Sequence, residues 1–426
     1  MRKGQIVSHE SSPPTVAARA VKAAIRGNNL DNVRRHNLSL VLGLVHARRT
    51  VSRAQLTREL GLNRSTIAAL VSELVQLGLV VETEPQQTNQ VGRPSLVIEP
   101  NMRTVAISVN PELDAVTIGL VALGGTVIRR VRYDNVRVPT AREVVNVVSA
   151  VLAGMRGELD AEFRTLGIGL AVPGLVRGSD GLVDLAPHLG WRDEPLAAML
   201  GESTGFTVFS ANDAACGAIA ESKFGAGRDV DDVIYLNGGA SGIGGGVISD
   251  GSLLTGANGY AGELGHTLVN TNGSLCHCGA MGCLETEVSR RPLLEACGLT
   301  DLDAERLEDA LVAAFARPEP PVELVAIVER QARFLSIALR NAINIFNPRR
   351  IVLGGFLGSL YRVAPAQLDE MLRGGALRGA REGVDIMRAT LGSNILMVGA
   401  AELAFASVLA DPASVSFAPS SSALGE

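Results

Sequence analysis

The first hundred residues carry hydrophobic positions with helical spacing. This pattern predicts three helices, at residues 33–46, 53–60 and 64–77. The last two are joined by the three-residue turn Gly61-Leu62-Asn63. A helix, a short turn containing glycine and a second helix have the spacing of a helix-turn-helix, whose second helix reads DNA bases with its N-terminal side chains. The candidate base-reading residues are Asn63, Arg64, Ser65 and Thr66.

Two strand-like segments, residues 78–82 and 96–99, follow these helices and enclose the stretch TEPQQTNQVGRPS, which is too polar for a core. A strand pair with a polar connection after a helix-turn-helix predicts a winged helix-turn-helix domain, here over residues 29–100. Residues 1–28 lack a clear core pattern and are predicted to form a disordered basic arm. Two interpretations of the arm stay open, a contact with DNA phosphates and an idle tail.

The pattern changes at Thr104, where segments rich in Val, Ile, Ala and Gly begin to alternate with helical patterns. Such alternation predicts an α/β domain, here over residues 101–410, followed by a disordered tail at residues 411–426. The predicted strands lie at residues 105–109, 116–123, 166–171, 206–209, 233–236 and 350–353. The predicted helices lie at residues 141–157, 214–224, 323–345 and 400–409.

Composition and charge narrow the class of protein. The 426 residues are 46% hydrophobic, enough to fill sizeable cores, but show no run of 18 apolar residues and no apolar signal segment. We therefore expect a cytoplasmic protein without a membrane segment. Residues 1–103 carry 14 Lys or Arg and seven Asp or Glu, so with a net charge of −5 the remainder carries −12. A basic head on an acidic body indicates that only the head contacts a polyanion.

The strongest chemical signal is the stretch ELGHTLVNTNGSLCHCGAMGCLE, residues 263–285. Three thiolates and one imidazole are the ligand set of a closed tetrahedral zinc site, and two glycines supply the tight turns that bring such close ligands to one ion. The chain has five cysteines, and three of them are in this stretch as candidate metal ligands. This usage is typical of a protein in the reducing cytosol rather than of a disulfide framework. We therefore predict a structural zinc ion bound by His266, Cys276, Cys278 and Cys283.

This stretch resembles the zinc and sugar-binding signature of the ROK family, a bacterial group of repressors and sugar kinases, and the resemblance extends over residues 30–410. It implies an α/β, two-lobed actin/hexokinase-like (ribonuclease H-like) fold. Gly92-Arg93-Pro94 resembles the wing tip of ROK repressors, which implies that Arg93 enters the narrow minor groove of A·T-rich DNA. The segment at residues 186–191 is similar to the A-P-N-L-G-W segment of the family, with His188 in place of the asparagine.

Asn212 and Asp213 form a second chemical centre, at a predicted junction between a strand and a helix. In ROK kinases the matching aspartate is the general base for a sugar hydroxyl, and the asparagine contacts the sugar. The resemblance therefore implies a sugar site formed by Asn212, Asp213, Glu263, His266 and Glu285. The alternative is that Asn212 and Asp213 only cap the following helix, because both residue types cap well.

The nucleotide side departs from the pattern of the kinases. Active family members carry a D-x-G-x-T-like loop after the first strand, where this chain has VNPELDA at residues 109–115, with Asn110 at the metal-side position. Glu112 and Asp114 would face the triphosphate, and two like charges 4 Å apart repel by about 4 kcal/mol at an effective dielectric near 20. A repulsion of this size corresponds to a roughly thousandfold loss of affinity for ATP. The glycine-rich residues 237–246 are similar to a second phosphate motif, but they also suit a simple hairpin.

These observations predict a DNA-binding transcriptional regulator, specifically a repressor of carbohydrate-related genes, with a sugar or sugar-phosphate effector. Asp213 would then be a vestigial base in a domain that binds no ATP. Two-fold operators require two heads, and family members are commonly dimers or tetramers, so a homo-oligomer is expected. Two alternatives stay open: an active or bifunctional ATP-dependent sugar kinase, and a DNA-binding protein whose ROK domain only oligomerises.

Overall fold

In the computed structural model of the chain, the described residues are 30–84, 96–375 and 377–414, with the side chain of residue 302 excluded. The predicted basic arm, Arg93 at the predicted wing tip, and the predicted tail beyond residue 414 lie outside these residues.

Three helices and a small sheet form the N-terminal head. They are α1 (Leu30–Arg48), β1 (Val51–Ser52), α2 (Arg53–Leu60), α3 (Arg64–Gln76), β2 (Val80–Thr83) and β3 (Val97–Pro100). β3 lies between β1 and β2 and is antiparallel to both. The predicted bounds of α2 are confirmed, because Ser52 and Gln55 form a reciprocal capping box at its start and Gly61 adopts the left-handed conformation at its end.

Two five-stranded sheets follow. The first contains β4 (Thr104–Pro111), β5 (Ala115–Ala122), β6 (Thr126–Asp134), β7 (Arg164–Val172) and β11 (Val208–Asn212). The second contains β12 (Val233–Gly239), β13 (Gly242–Ser249), β14 (Ser252–Leu253), β15 (Arg350–Gly354) and β16 (Asp385–Arg388). A small antiparallel sheet between them consists of β8 (Leu175–Val176), β9 (Val183–Ala186) and β10 (Trp191–Glu194).

The two large sheets have the same topology. The first has the order β11-β7-β4-β5-β6 and the second the order β14-β13-β12-β15-β16. In each, the first strand in sequence is central, pairs antiparallel with the next strand and pairs parallel with a later one. This repetition confirms the predicted two-lobed α/β fold.

Helices cover both sheets. They are α4 (Ala141–Glu162), α5 (Leu196–Thr204), α6 (Asp213–Phe224), α7 (Leu284–Glu287), α8 (Arg290–Ala296), α9 (Leu307–Phe315), α10 (Val322–Phe346), α11 (Gly355–Val363), α12 (Pro365–Gly375), α13 (Arg378–Arg381) and α14 (Ile395–Ala410). The segment Gly392–Ala410 is long and apolar enough to cross a membrane by length and composition, but half of it is buried inside the protein. There α14 packs on α6, β4 and β7, which is typical of a core helix.

The head shares its hydrophobic core with the first lobe. Leu42 of α1 and Ile67 of α3 belong to the same cluster of buried side chains as Val121 of β5 and Phe405 of α14. A close-packed cluster transmits small displacements, because its side chains have few alternative positions. The head is therefore held to the lobe by packing as well as by chain connection.

Candidate functional site

A cavity of about 740 Å³ lies between the two lobes. It opens where β4, β7 and β11 end, beside the hairpin of β12 and β13, which is the usual position of ligands in open α/β sheets. The five predicted sugar-site residues all line it, namely Asn212, Asp213, Glu263, His266 and Glu285. Glu112, Asp114, His188 and His277 line it as well.

Asn212 stands where β11 passes directly into α6. The predicted strand bounds of 206–209 are wrong, because parallel pairing with β7 extends β11 through Asn212, opposite Val172. The Oδ1 atom of Asn212 accepts hydrogen bonds from the N–H groups of Ala214 (2.8 Å) and Ala215 (3.1 Å). Its Nδ2 atom donates to the carbonyl of Gly174 at 3.0 Å. The capping role is thus confirmed for Asn212, while its contact with a ligand stays a prediction.

Asp213 is the first residue of α6 and lines the cavity. Its Oδ1 atom accepts a hydrogen bond from the N–H of Ala214 at 2.8 Å. Burial raises the pKa of Asp213 to about 7, and the negative charges of Glu112 and Glu263 act in the same direction. A carboxyl group that titrates near neutral pH can accept a proton from a bound hydroxyl.

The predicted metal ligands come together at the edge of the cavity. The ligand atoms of His266, Cys276, Cys278 and Cys283 all lie within 4.8 Å of one another. The sulfurs of Cys278 and Cys283 are 3.7 Å apart, and Nδ1 of His266 is 3.5 Å from the sulfur of Cys276. A tetrahedral zinc ion with ordinary bond lengths requires ligand separations of about 3.8 Å between two sulfurs and about 3.5 Å between sulfur and nitrogen. The geometry of these four residues therefore fits zinc.

His266 connects this cluster to the cavity. Its Nδ1 atom faces Cys276, whereas its Nε2 atom lies 3.9 Å from Oε2 of Glu263. Burial raises the pKa of Glu263, His266 opposes that rise and Glu285 adds to it. An imidazole held by a metal through one nitrogen has its ring orientation fixed, so its other edge is presented in a defined position.

Glu285 and His277 lie between the cluster and the cavity. The side chain of Glu285 is only 8% exposed, and its Oε1 atom is 3.0 Å from Nδ1 of His277 and 3.0 Å from the sulfur of Cys276. His277 also meets His188 of the other lobe edge-on, with ring centroids 5.5 Å apart. Our reading of the sequence missed His277, although its place between two ligand cysteines was an available signal.

A buried carboxylate supports the cysteine loop from behind. The Oε atoms of Glu287 accept hydrogen bonds from Nδ2 of Asn270 at 3.0 Å and from the N–H of Ser274 at 3.1 Å. Arg330 of α10 pairs with Glu287 at 2.6 Å. Sequence reasoning missed this support because Glu287 and Arg330 are 43 residues apart.

On the nucleotide side, the glycine-rich residues form a hairpin, while a phosphate contact at its tip stays a prediction. Gly238 and Gly239 pair antiparallel with Ile243 and Gly242 in the β12–β13 ladder. The expected repulsion of a triphosphate by both Glu112 and Asp114 is reduced at Asp114, because that carboxylate is paired with Arg132 at 2.6 Å. The pKa of Glu112 is raised by burial and by the charge of Asp114, while a hydrogen bond from Asn110 opposes the rise.

The predicted DNA-reading residues lie at the start of α3. Asn63, Arg64 and Ser65 are exposed and Thr66 is half-buried. Asn63 also caps the helix, since its Oδ1 atom accepts from the N–H of Thr66 at 2.8 Å and from the hydroxyl of Ser65 at 2.7 Å. This geometry suits the N-terminal end of a recognition helix. A DNA contact for these residues stays a prediction.

Comparison with known proteins agrees with this architecture. The ROK family profile matches residues 107–407. The xylose repressor of Caldicellulosiruptor bescii is 31% identical over 342 residues, covering 76% of this chain and 85% of that protein. A solved ROK family transcriptional regulator, a homologue of the Escherichia coli MLC protein, superposes with a TM-score of 0.71 at 28% identity, covering 89% of this chain and 97% of that one.

A ROK family glucokinase from Streptomyces griseus, solved with glucose and AMPPNP, superposes with a TM-score of 0.58 at 28% identity. The superposition covers 70% of this chain and 98% of the glucokinase chain. The chain belongs to the ROK family, and its body has the two-lobed actin/hexokinase-like fold that the resemblance implied.

Proposed function

We propose that this protein is a cytoplasmic DNA-binding regulator that represses carbohydrate-related genes and responds to a sugar bound between its lobes. The main observation in its support is that two helices run from the cavity to the head. The names of the related xylose repressor and of the ROK transcriptional regulator favour the same class of protein.

Helix α6 provides this connection. It begins at the cavity with Asp213 and ends against the head with Phe224. The ring of Phe224 contacts His46 of α1 edge-on, with centroids 5.2 Å apart, and the guanidinium of Arg49 lies 5.3 Å from the same ring. A displacement of Asp213 along the helix axis would therefore be felt at α1, because an α-helix is stiff along its length.

Helix α14 makes a second connection. Leu396 in its first turn lines the cavity. At its other end, the carbonyl of Leu409 accepts a hydrogen bond from the hydroxyl of Ser39 at 2.7 Å, and Asp411 pairs with Arg35 at 2.8 Å. Both helices that border the sugar site therefore end against α1.

We infer that sugar binding closes the lobes and shifts α6 and α14, which reorients the head. A ligand changes such an equilibrium only as far as it binds the closed state more tightly than the open state. In a dimer the two copies of α3 must enter major grooves about one helical turn apart. A small rotation of each head would break that spacing and release the operator.

We infer that DNA is bound by Asn63, Arg64, Ser65 and Thr66 in the major groove and by Arg93 in the minor groove. The exposure of the first turn of α3 supports the major-groove contact. A zinc ion held by His266 and the three cysteines would stabilise the loop that carries Glu263 and Glu285, and it would supply no chemistry because all four of its positions are filled.

Sugar phosphorylation is the second candidate function. The observation that favours it is Asp213, which lies in the cavity at the position of a general base with a pKa of about 7. Against it stands Asn110 at the metal-side position. Production of ADP from ATP in the presence of a sugar would establish this activity, and its absence across a sugar panel would support a purely regulatory domain.

Genome-wide footprinting of the bound DNA tests the regulatory proposal. We expect two-fold sites next to genes of carbohydrate metabolism. Fluorescence anisotropy with one such site should then show that a monosaccharide changes operator affinity, and light scattering should show a dimer or tetramer. DNA binding that no sugar alters would favour the alternative in which the ROK domain only oligomerises. An absence of sequence-specific binding would contradict the proposal.

A further inference from the structure

A second cavity, of about 720 Å³, lies at the other end of α6 from the cavity described above. Asp213 begins α6 at the first cavity, whereas Ile219, Ser222 and Lys223 of the same helix line the second. At the helical rise per residue, Asp213 and Lys223 are about 15 Å apart. The two cavities share no lining residue, so the second one is a separate candidate binding site.

Both lobes contribute walls to the second cavity. The first lobe supplies the turn between β8 and β9 and the start of β11, the second lobe supplies the turn between β13 and β14, and α14 completes the lining. At its edge, the N–H of Gly178 donates to the carbonyl of Asn258 in the second lobe at 3.0 Å. A molecule in this cavity would therefore contact both lobes and favour the arrangement in which they form it.

Apolar side chains from both lobes line the second cavity. They belong to Val208, Phe209, Ile219, Ile248, Leu253 and Leu403. A cleft of several hundred Å³ with apolar walls and a few polar groups is the usual form of a small-molecule site. The lining therefore suits a ligand with an apolar ring.

The polar groups of the second cavity are available to a ligand. Within the part of the chain that the structure describes, the hydroxyls of Ser179, Ser222 and Ser252 have no hydrogen-bond partner. A hydroxyl both donates and accepts, and the ammonium of Lys223 has three N–H donors, of which one reaches Glu402 at 2.6 Å. The cavity thus offers hydrogen bonds to a hydroxyl or carbonyl oxygen.

The charges of the second cavity are already matched. Its ionised side chains, among the described residues that line it, are Lys223, Glu402 and Asp180. Lys223 pairs with Glu402, and Asp180 pairs with Arg177 at 3.3 Å. A charged ligand would find no opposite charge without a partner, and burying an unmatched charge is costly. The electrostatics therefore favour an uncharged ligand.

We propose that the second cavity binds a small uncharged molecule that has an aromatic or alicyclic ring and a hydroxyl or carbonyl group. The ring packs on Phe209 and its apolar neighbours, and the polar group bonds to Lys223 and Ser222. This site goes beyond the proposed function, because it lets the head respond to a second signal. Lys223 and Glu402 join α6 to α14 at this cavity, and Glu402 also contacts His46 of the head.

Three probes of similar size test the ligand class: benzyl alcohol, benzoate and benzylamine, which are neutral, anionic and cationic at pH 7. Saturation-transfer NMR with the full-length protein measures their binding. We expect saturable binding of benzyl alcohol, with a dissociation constant roughly fivefold or more below those of the two ions. An ion that binds as tightly would overturn the uncharged class, and no saturable binding of any probe would overturn the site.

A cavity-filling variant shows whether the probe binds at this place. Ala406 is an exposed residue of α14 that lines the second cavity, so Ala406→Phe places a phenyl ring in it. Ser407→Phe is the matched control, since Ser407 is the next exposed residue of the same helix and does not line the cavity. The first variant should weaken benzyl alcohol binding by roughly tenfold or more and the second by less than about twofold. Equal affinities in the two variants would contradict this location.

The link to the head is measured by anisotropy with the footprinted operator. Saturating benzyl alcohol should change the operator dissociation constant by roughly threefold or more in the native chain and in Ser407→Phe, but not in Ala406→Phe. An operator affinity that the bound probe leaves unchanged in the native chain would overturn the link. The binding measurements need neither operator nor sugar, so their outcome is independent of the proposed function.

Discussion

The Nε2 atom of His46 lies 2.9 Å from the Oε1 atom of Glu402, and both side chains are at most 2% exposed. The N–H of Gly124 donates to Nδ1 of His46 at 2.9 Å, so Nε2 carries the ring proton and donates it to Glu402. Lys223 at the end of α6 pairs with the other carboxylate oxygen at 2.6 Å. One buried carboxylate on α14 thus joins the head to both helices that border the cavity.

Replacing Glu402 should destabilise the protein strongly. Glu402→Leu removes the acceptor of the buried His46 N–H, and an unpaired buried polar group carries a large desolvation penalty. We expect a loss of about 2–4 kcal/mol in the free energy of unfolding, measured by denaturant titration. Glu295→Ala removes an exposed helical ion pair with Arg291 and should cost less than about 0.5 kcal/mol. Equal losses in the two variants would contradict the role of Glu402.

The contribution of Glu402 should depend on pH in a defined window. Burial alone would raise the pKa of Glu402, but interactions with His46 and Lys223 outweigh it and lower the pKa to about 2. The unfolded carboxyl takes up its proton near pH 4.5, before the folded one does. The stabilisation is therefore present above pH 4.5 and is lost as the pH falls toward 2. The stability gap between the native chain and Glu402→Leu should shrink between pH 6 and pH 3, and a constant gap would refute this assignment.

Asp213→Asn should show the opposite pH dependence. The folded pKa of Asp213 is about 7 because of burial, whereas the unfolded value is 3.8. Between these values the folded carboxyl retains a proton that the unfolded chain has lost, so the stabilisation present below pH 3.8 declines as the pH rises through 7. Asparagine keeps the hydrogen bond to Ala214 and cannot ionise. The variant should be more stable than the native chain by about 2–4 kcal/mol at pH 8 and similar to it at pH 4.

The same variant should bind sugar more weakly, since it loses a charged acceptor in the cavity. Thermal unfolding across the pH range and calorimetry with a panel of monosaccharides measure the two effects separately. A variant that is less stable than the native chain at pH 8 would show that burial does not destabilise the charged form of Asp213.

The zinc prediction is tested by removing one thiolate. Cys283→Ser should lower the zinc content from about one ion per chain to well below one and should lower the unfolding temperature, because binding free energy at a structural site is folding free energy. Elemental analysis and thermal unfolding provide the two measurements. Cys297→Ser is the matched control, since Cys297 is a half-buried free cysteine outside the cluster. Full zinc occupancy in Cys283→Ser would disprove the assignment of this ligand.

Arg64 provides the test of the DNA-binding face. Arg64→Ala should weaken binding to the footprinted operator by about 1–3 kcal/mol if the side chain reads a base. If it contacts phosphate instead, the slope of log affinity against log salt concentration should decrease in magnitude by about one. Anisotropy titrations at several salt concentrations distinguish the two contacts. Arg291→Ala, an exposed cation on the second lobe, should change neither quantity. An Arg64→Ala protein that binds like the native chain would place the DNA contact elsewhere.

The sequence by itself determined the elements whose signals are local. The helix at Arg53–Leu60 was predicted at its observed bounds because its cap, its periodicity and its terminal glycine are all within ten residues. The cluster of His266 and three cysteines was predicted for the same reason, since 18 residues contain every ligand and the turns between them. A short loop has few ways to place such ligands, so spacing alone decides the arrangement.

Only the tertiary structure decided which distant groups meet. Nothing in the sequence pairs His46 with Glu402 across 356 residues, or Glu287 with Arg330, because a lone ionisable residue carries no information about its partner. The shared core of head and lobe and the pairing of Asp114 with Arg132 also follow from how the sheets and helices pack. These contacts depend on topology, which brings together side chains whose local sequences are unrelated.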